Sequence, residues 1–438
     1  MLRAFGRIRR DPPGFLADCR DRWGDVVRFP VPGRPVYLVS DPGAVLRVLR
    51  DNHPGYDKST VQYEALAAVT GRGLLTSDGT LWRRQRRLAQ PAFHPSTMPD
   101  VAARSAEAAG RLLSTWDRLP AGARVDVDAA MTRLTLDVVG AALFGTDLAA
   151  GADVDPDALV GAVLVALDAV VAGARTPLRL PGWLPTRRRR RLRRGLATLD
   201  ETVFAAVRRR RAGPAPVEPD LLDLLLRAGM AERQLRDEVV TLVVAGHETV
   251  ASALTWSWHL LGGDDAARTR LRAEAAAVLG AGPASRLPTY DDLPRLPWTR
   301  AVVEEALRLY PPAWVVTRRA VAPDVLAGHR INAGTLVIVS PWVLHRHPDL
   351  WADPTRFDPA RFLPERRFEL PRGGYLPFGA GPRLCIGREF ALVEGPLLLA
   401  AVAARYDVRP VPGAGRRVDA AVTLRPRGGL PATVWRCW

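Results

Sequence analysis

One stretch near the C-terminal end constrains this chain more than any other: Phe378-Gly379-Ala380-Gly381-Pro382-Arg383-Leu384-Cys385-Ile386-Gly387, followed by an apolar helical run from Arg388 to Ala404. It reads as a loop that ends in a thiol at the mouth of a helix. A cysteine placed there faces backbone N–H groups and the positive end of the helix dipole, which favours the thiolate. A thiolate is a ligand for a soft metal. Glycines at 379, 381 and 387 leave the backbone free for tight turns and for close approach by a flat ligand, and Arg383 adds a fixed positive charge. The loop suits a planar, anionic iron cofactor; the plain alternative is a buried cysteine in a glycine-rich turn.

The spacing F-x-x-G-x-R-x-C-x-G, extended by Phe390, Ala391 and Glu394, resembles the heme-binding loop of the cytochrome P450 family. That resemblance implies heme b (iron protoporphyrin IX) with Cys385 as its metal ligand and Phe378, Gly379, Arg383 and Gly387 around it. A thiolate there pushes electron density toward the iron. It also implies a fold that is mainly α with small β-sheets: one large domain over residues 1–438, with a β-rich N-terminal part over about 11–75 and a helical heme-binding part with small sheets over about 76–438.

Composition narrows the rest. The 438 residues carry a formal net charge of +16, with Lys58 as the only lysine. Such an arginine-rich chain suggests a GC-rich bacterial source and permits acidic partners. No nucleic acid is expected, because no recognised module or basic face with stacking aromatics is present. Cys19, Cys385 and Cys437 are odd in number and far apart, so neither a disulfide framework nor a zinc site follows. Met1–Arg10 is basic without the apolar segment of a signal peptide, and no uncharged apolar run reaches the length of a membrane span. These features predict a cytoplasmic protein without a stable membrane anchor.

Read in order, the chain predicts a helix over Asp11–Trp23, a hairpin over Val26–Ser40 and helical spacing over Asp41–Asn52. Ser59–Gly73 has weak periodicity and reads as a variable loop with one short helix at most. Trp82 and Arg86 share a helical face over Leu81–Gln90, where an indole N–H and a guanidinium together make a cradle for a carboxylate. The same spacing also suits a cation–π pair. Under the resemblance these two, with Arg318, bind the heme propionates; Arg319 rivals Arg318. Val125–Phe144 and Asp155–Val171 read as core helices, and Pro177–Pro185 as a proline-rich loop with Trp183 at a substrate entrance. The arginine run 187–194 reads as a solvated helix face.

One long helix is predicted from Glu232 to about Leu261, interrupted at Ala245-Gly246-His247-Glu248-Thr249, since a mid-helix glycine costs about 1 kcal/mol and invites distortion. A carboxylate and a hydroxyl there can hold water and pass protons. The A-G-x-E-T pattern resembles the family's oxygen-activating helix, which implies catalytic roles for Glu248 and Thr249. An isolated His247 suggests no metal site. Glu305 and Arg308 stand three apart on one helix, and the resemblance adds Arg361 to make a buried charge triad behind the heme loop. His345 and His347 read as part of a structural turn.

The resemblance implies a substrate pocket lined by Tyr63, Leu66, Val69, Ala245, Gly246, Ala313, Trp314, Val315 and Leu424. It implies a monooxygenase that uses dioxygen to hydroxylate a hydrophobic small molecule in specialised-metabolite biosynthesis, such as a terpenoid, fatty acid or polyketide. Electrons would come from NAD(P)H through a separate ferredoxin and ferredoxin reductase, to a monomer. Two alternatives remain open: atypical chemistry by the same cofactor, such as oxidative coupling, cyclisation, desaturation or nitrogen-group transfer, and a non-enzymatic heme-binding protein. The chain begins close to the first expected helix, without the family's longer proline-rich leader.

Overall fold

The computed structural model describes residues 2–31, 33, 35–145, 162, 165, 186–213, 219–415 and 417–437. The predicted helix over 155–171, apart from residues 162 and 165, and the loop with Trp183 lie outside them.

Helices dominate. They run as α1 (Leu2–Arg10), α2 (Pro12–Trp23), α3 (Pro42–Leu46), α4 (Val61–Thr70), α5 (Gly79–Ala89), α6 (Met98–Trp116), α7 (Val127–Phe144), α8 (Arg187–Ala212), α9 (Leu221–Arg227), α10 (Glu232–Leu261), α11 (Asp265–Leu279), α12 (Pro297–Leu309), α13 (Pro341–Leu344) and α14 (Arg388–Arg405). Their ends follow local chemistry. Asp126 caps α7 by accepting from the Asp128 N–H, and Gly145 closes it in the left-handed conformation. Asp78 caps α5 and Asp220 caps α9.

The centre of the molecule is α10. It is long and apolar enough to cross a membrane, yet 83% of its most apolar window is buried within the fold, as in a core helix. Around it α6, α7, α12 and α14 contribute Leu113, Val138, Val302 and Leu398 to one large hydrophobic core. The expected interruption at 245–249 is absent: α10 is helical throughout. The glycine has a different reason, because a Cβ at Gly246 would stand 3.0 Å from a Val139 methyl of α7. It lets two core helices approach.

Strands β1 (Val26–Phe29), β2 (Val36–Val39), β3 (Tyr56–Asp57), β5 (Val316–Ala320) and β8 (Leu336–Val339) form one sheet in the order β1-β2-β8-β5-β3. β2 and β8 are parallel; the other pairs are antiparallel. Two strands of this sheet, β5 and β8, come from beyond α12. Strand β4 (Ala123–Asp126) joins β9 (Tyr406–Pro410) and β12 (Pro431–Arg436), β6 (Asp324–Leu326) pairs with β7 (His329–Ile331), and β10 (Val418–Ala420) with β11 (Leu424–Pro426). The stretch predicted as a variable loop is in fact the ten-residue α4, with Tyr63, Leu66 and Val69 on its buried face.

Candidate active site

The thiol loop is closed by its own backbone. The Cys385 N–H donates to the Phe378 carbonyl at 2.9 Å, and the Gly379 N–H to Leu376 at 3.1 Å. Gly379 takes φ +76°, open to a glycine at no steric cost, and nothing lies within 4 Å of where its side chain would project. That open ledge is what a flat group needs. Cys385 is accessible to solvent although protein surrounds it on most sides. The Gly387 N–H and the Arg86 charge favour its thiolate as expected, but burial outweighs them and pushes the thiol up from its ordinary value. The helix mouth alone does not make the thiolate; a cation at sulfur removes the penalty.

Above the loop, basic side chains from separate elements converge. Arg86 Nη1 donates to the Leu384 carbonyl at 2.9 Å. The Arg383 guanidinium stacks 3.7 Å over the Trp82 ring, donates to the Ser77 carbonyl and pairs with Asp78. Arg318 is buried and donates to the Tyr63 hydroxyl at 3.0 Å, whereas its rival Arg319 turns to Asp57. Lys58, which no sequence motif singles out, sits among them with Nζ donating to the Leu75 carbonyl at 2.7 Å. Burial, then the charges of Arg318, Arg383 and Arg86, hold its pKa well below the ordinary lysine value. Such a crowd of cations fits a ligand that brings negative charge, as heme propionates do. With the open ledge at Gly379 and a thiol donor below, the residues present fit heme: Cys385 would hold the iron and Lys58, Arg86, Arg318 and Arg383 would surround the carboxylates.

The middle of α10 carries the other predicted catalytic residues. The Thr249 hydroxyl donates to the Ala245 carbonyl at 2.8 Å, one turn back. Glu248 is almost fully buried and lies 3.2 Å from Arg425 Nε. His247 is fully buried, with Nδ1 donating to the Val243 carbonyl, and burial drives its pKa down to about 4. Among the described residues no cluster of three or more His, Cys, Asp or Glu could hold a metal ion.

Of the remaining pocket candidates, Tyr63, Leu66 and Val69 lie in the main core, and Ala313 is exposed. Trp314 and Leu424 pack with Leu16 and Val27 in a smaller core, with Val315 at its margin. The turn after α4 is clamped to α10: the Arg72 N–H donates to Asp237 at 2.9 Å and the Leu74 N–H to Glu238 at 3.0 Å. Burial pushes Glu238 up to about 7, against the opposing Leu74 bond.

Behind the loop, Arg308 makes a bidentate pair with Glu305 at 2.7 and 2.8 Å and donates to the His345, Pro354 and Arg356 carbonyls. Arg361 stands farther off, its Nε 3.7 Å from Glu305. His345 supplies a link the sequence did not disclose. Its Nδ1 donates to the Arg308 carbonyl, and its Nε2 accepts from the Leu376 N–H at 2.8 Å, two residues before Phe378. Burial and the Arg308 charge keep it neutral, with a pKa near about 3, so one ring nitrogen is free to accept. The ion pair is thereby coupled to the thiol loop.

The comparisons agree with this geometry. The family model for cytochrome P450 matches residues 3–427. Cyclooctatin synthase of Streptomyces melanosporofaciens is 40% identical over 97% of this chain and 90% of its own length. Pentalenene oxygenase of Streptomyces avermitilis is 33% identical over 96% and 92%. A crystal structure of a six-coordinated cytochrome P450 from Thermus thermophilus superposes with TM-score 0.75 at 34% identity, covering 97% of this chain and 98% of that one. A thiol at the foot of a helix, a ring of cations above it, a charge pair behind it and a match across nearly the whole length place this chain in the cytochrome P450 family of heme-dependent monooxygenases.

Proposed function

We propose that this enzyme hydroxylates a polycyclic terpenoid during biosynthesis of a specialised metabolite. The observation that carries the proposal is its likeness, over almost the full chain, to cyclooctatin synthase, cyclooctat-9-en-7-ol 5-monooxygenase and pentalenene oxygenase. When bound, heme supplies dioxygen activation, with the thiolate favouring O–O cleavage. The chain's own residues do the rest. Lys58, Arg86, Arg318 and Arg383 bind and orient the cofactor carboxylates. The Glu305–Arg308 pair, with Arg361 beside it, holds the thiol loop through His345. Glu248 and Thr249 carry protons toward the cofactor site: the Thr249 hydroxyl, parked on the Ala245 carbonyl, is a donor within one turn of the Glu248 carboxylate. Apolar side chains of α4 and α10 exclude bulk water.

Electrons reach the site from NAD(P)H through a ferredoxin and its reductase, the acidic ferredoxin docking on basic residues of α5, and the enzyme works as a cytoplasmic monomer in a single-domain fold. The test is to titrate the heme-bound protein with pentalenene, cyclooctat-9-en-7-ol and a C16 fatty acid. An absorption shift with a terpenoid, followed by a hydroxylated product, is expected. A shift with the fatty acid alone overturns the assignment.

A further inference from the structure

The C-terminal hairpin meets α10 one turn beyond Thr249. Two α10 side chains, the Ser252 hydroxyl and the Trp256 indole N–H, both donate to the Leu424 carbonyl, and the Leu424 N–H donates to the Pro312 carbonyl. Strand β11 is thus pinned to α10, and the next residue, Arg425, is set between α10 and α7. Its Nε lies 3.2 Å from Glu248 Oε1, its Nη1 3.5 Å from Asp128 Oδ2, and its Nη2 donates to the Thr132 hydroxyl at 3.3 Å. The Thr255 hydroxyl donates to Asp128 at 3.3 Å. Side-chain exposure rises outward along this row, from 4% at Glu248 to 13% at Arg425 and Asp128. Asp126, two residues before Asp128, is exposed at the N-terminal end of α7.

A carboxylate taken into the interior needs a cation to stay charged. Arg425 gives one cation to two carboxylates on different helices. Its contacts are long for charge-assisted hydrogen bonds, so it holds Glu248 without locking it. His247, the other titratable group here, is kept neutral by burial and by the Arg425 charge and does not compete as a second cation.

We propose that Arg425 is a positioning residue for proton delivery, tying the Glu248 carboxylate to Asp128 so that protons enter the site from the N-terminal end of α7. Arg425 remains charged throughout and relays no proton. For each proton passed from Glu248 toward Thr249, one enters from the Asp128 side, and no electron moves in the exchange. This rests on the reading that Glu248 and Thr249 deliver protons.

The test uses the heme-bound enzyme with a surrogate ferredoxin and reductase and no added substrate. NAD(P)H oxidation and its solvent deuterium isotope effect are measured for Arg425→Gln, Arg425→Lys, Asp128→Asn, Glu248→Gln and the Arg425→Gln/Asp128→Asn double variant. Arg425→Gln and Asp128→Asn are each expected to slow oxidation about tenfold and to raise the isotope effect. Combined, they should cost no more than one alone, and Arg425→Lys should recover most of the rate. A second readout is independent of turnover. Without Arg425 two buried carboxylates lose their cation, so the Tm of Arg425→Gln should fall more steeply than wild type between pH 5 and pH 8, and Asp128→Asn should relieve part of that fall. Wild-type rate and isotope effect in Arg425→Gln, alongside a clear loss in Glu248→Gln, overturn the inference and leave the role of Glu248 standing. Additive losses in the double variant also overturn it. If Glu248→Gln changes neither quantity, the proton-delivery reading itself fails and this proposal goes with it.

Discussion

Two arginines, Arg308 fully buried and Arg425 half-buried, are held differently. Arg308, behind the thiol loop, is fully buried and its partners all lie at 2.7–3.0 Å, three of them backbone carbonyls. Arg425, beside α10, has contacts at 3.2–3.5 Å, two of them to carboxylates. Short bonds to carbonyls have no second protonation state and hold a loop in one place. Longer contacts to titratable groups leave a side chain able to shift as charge changes. Buried charge in this enzyme therefore serves rigidity on one side and adjustment on the other.

The largest effect should come from breaking the rigid side. Arg308→Ala strands the Glu305 carboxylate and releases three loop carbonyls, a change that typically costs about 3–5 kcal/mol. The expected product is heme-poor or misfolded protein, read by the ratio of heme to protein absorbance and by Tm. A stable variant with full heme content would contradict the contrast between the two arginines.

On the adjustable side, chemistry should suffer while the fold does not. Thr249→Val removes the hydroxyl but keeps the volume. Productive turnover should drop by about a hundredfold, with reducing equivalents diverted to hydrogen peroxide and with heme content intact. Peroxide yield per NAD(P)H oxidised is the measurement, and an equal loss of Tm and turnover would erase the distinction.

Lys58→Met probes the cation ring. It should weaken heme retention about tenfold, the scale of one charge-assisted hydrogen bond, as measured by transfer of heme to apomyoglobin. The heme-free variant should also lose a pH dependence. A lysine whose folded pKa is depressed destabilises the native state at low pH, so the heme-free wild type should gain stability as pH rises toward the ordinary lysine range, and Lys58→Met should gain less.

The effect with the narrowest pH range is predicted at Glu238, which clamps the turn after α4. Its folded pKa, about 7, lies above its usual 4.5, so its contribution is complete below about pH 4.5 and is lost as pH rises through 7. Glu238→Gln should flatten the decline in unfolding free energy over that window by on the order of 1 kcal/mol per pH unit, as read by denaturant titration at each pH.

What the sequence disclosed was whatever sits in a short, contiguous pattern. Cys385 with its glycines, the Glu305–Arg308 spacing and the bounds of α10 could all be read within one or two helical turns. Lys58 and Arg425 could not, because neither belongs to a local motif: Arg425 reaches Glu248 and Asp128 on other elements, and Lys58 bonds the Leu75 carbonyl while gathering with Arg86, Arg318 and Arg383. The one signal for Lys58 was its singularity in a chain that otherwise uses arginine. α4 was obscured by small residues between its buried positions, which flatten the apolar stripe. The tendency of Gly246 to break a helix was overridden by tertiary packing, with α7 as the deciding neighbour.

That contact also sets a rule for redesign. Residues 246 and 139 share one steric allowance, so bulk added to α10 at this level has to be removed from α7. Gly246→Ala alone should force the paired helices apart beside Glu248 and Thr249, while Gly246→Ala with Val139→Ala should let them settle back. Anyone changing side-chain volume between these two helices would do well to vary both positions jointly.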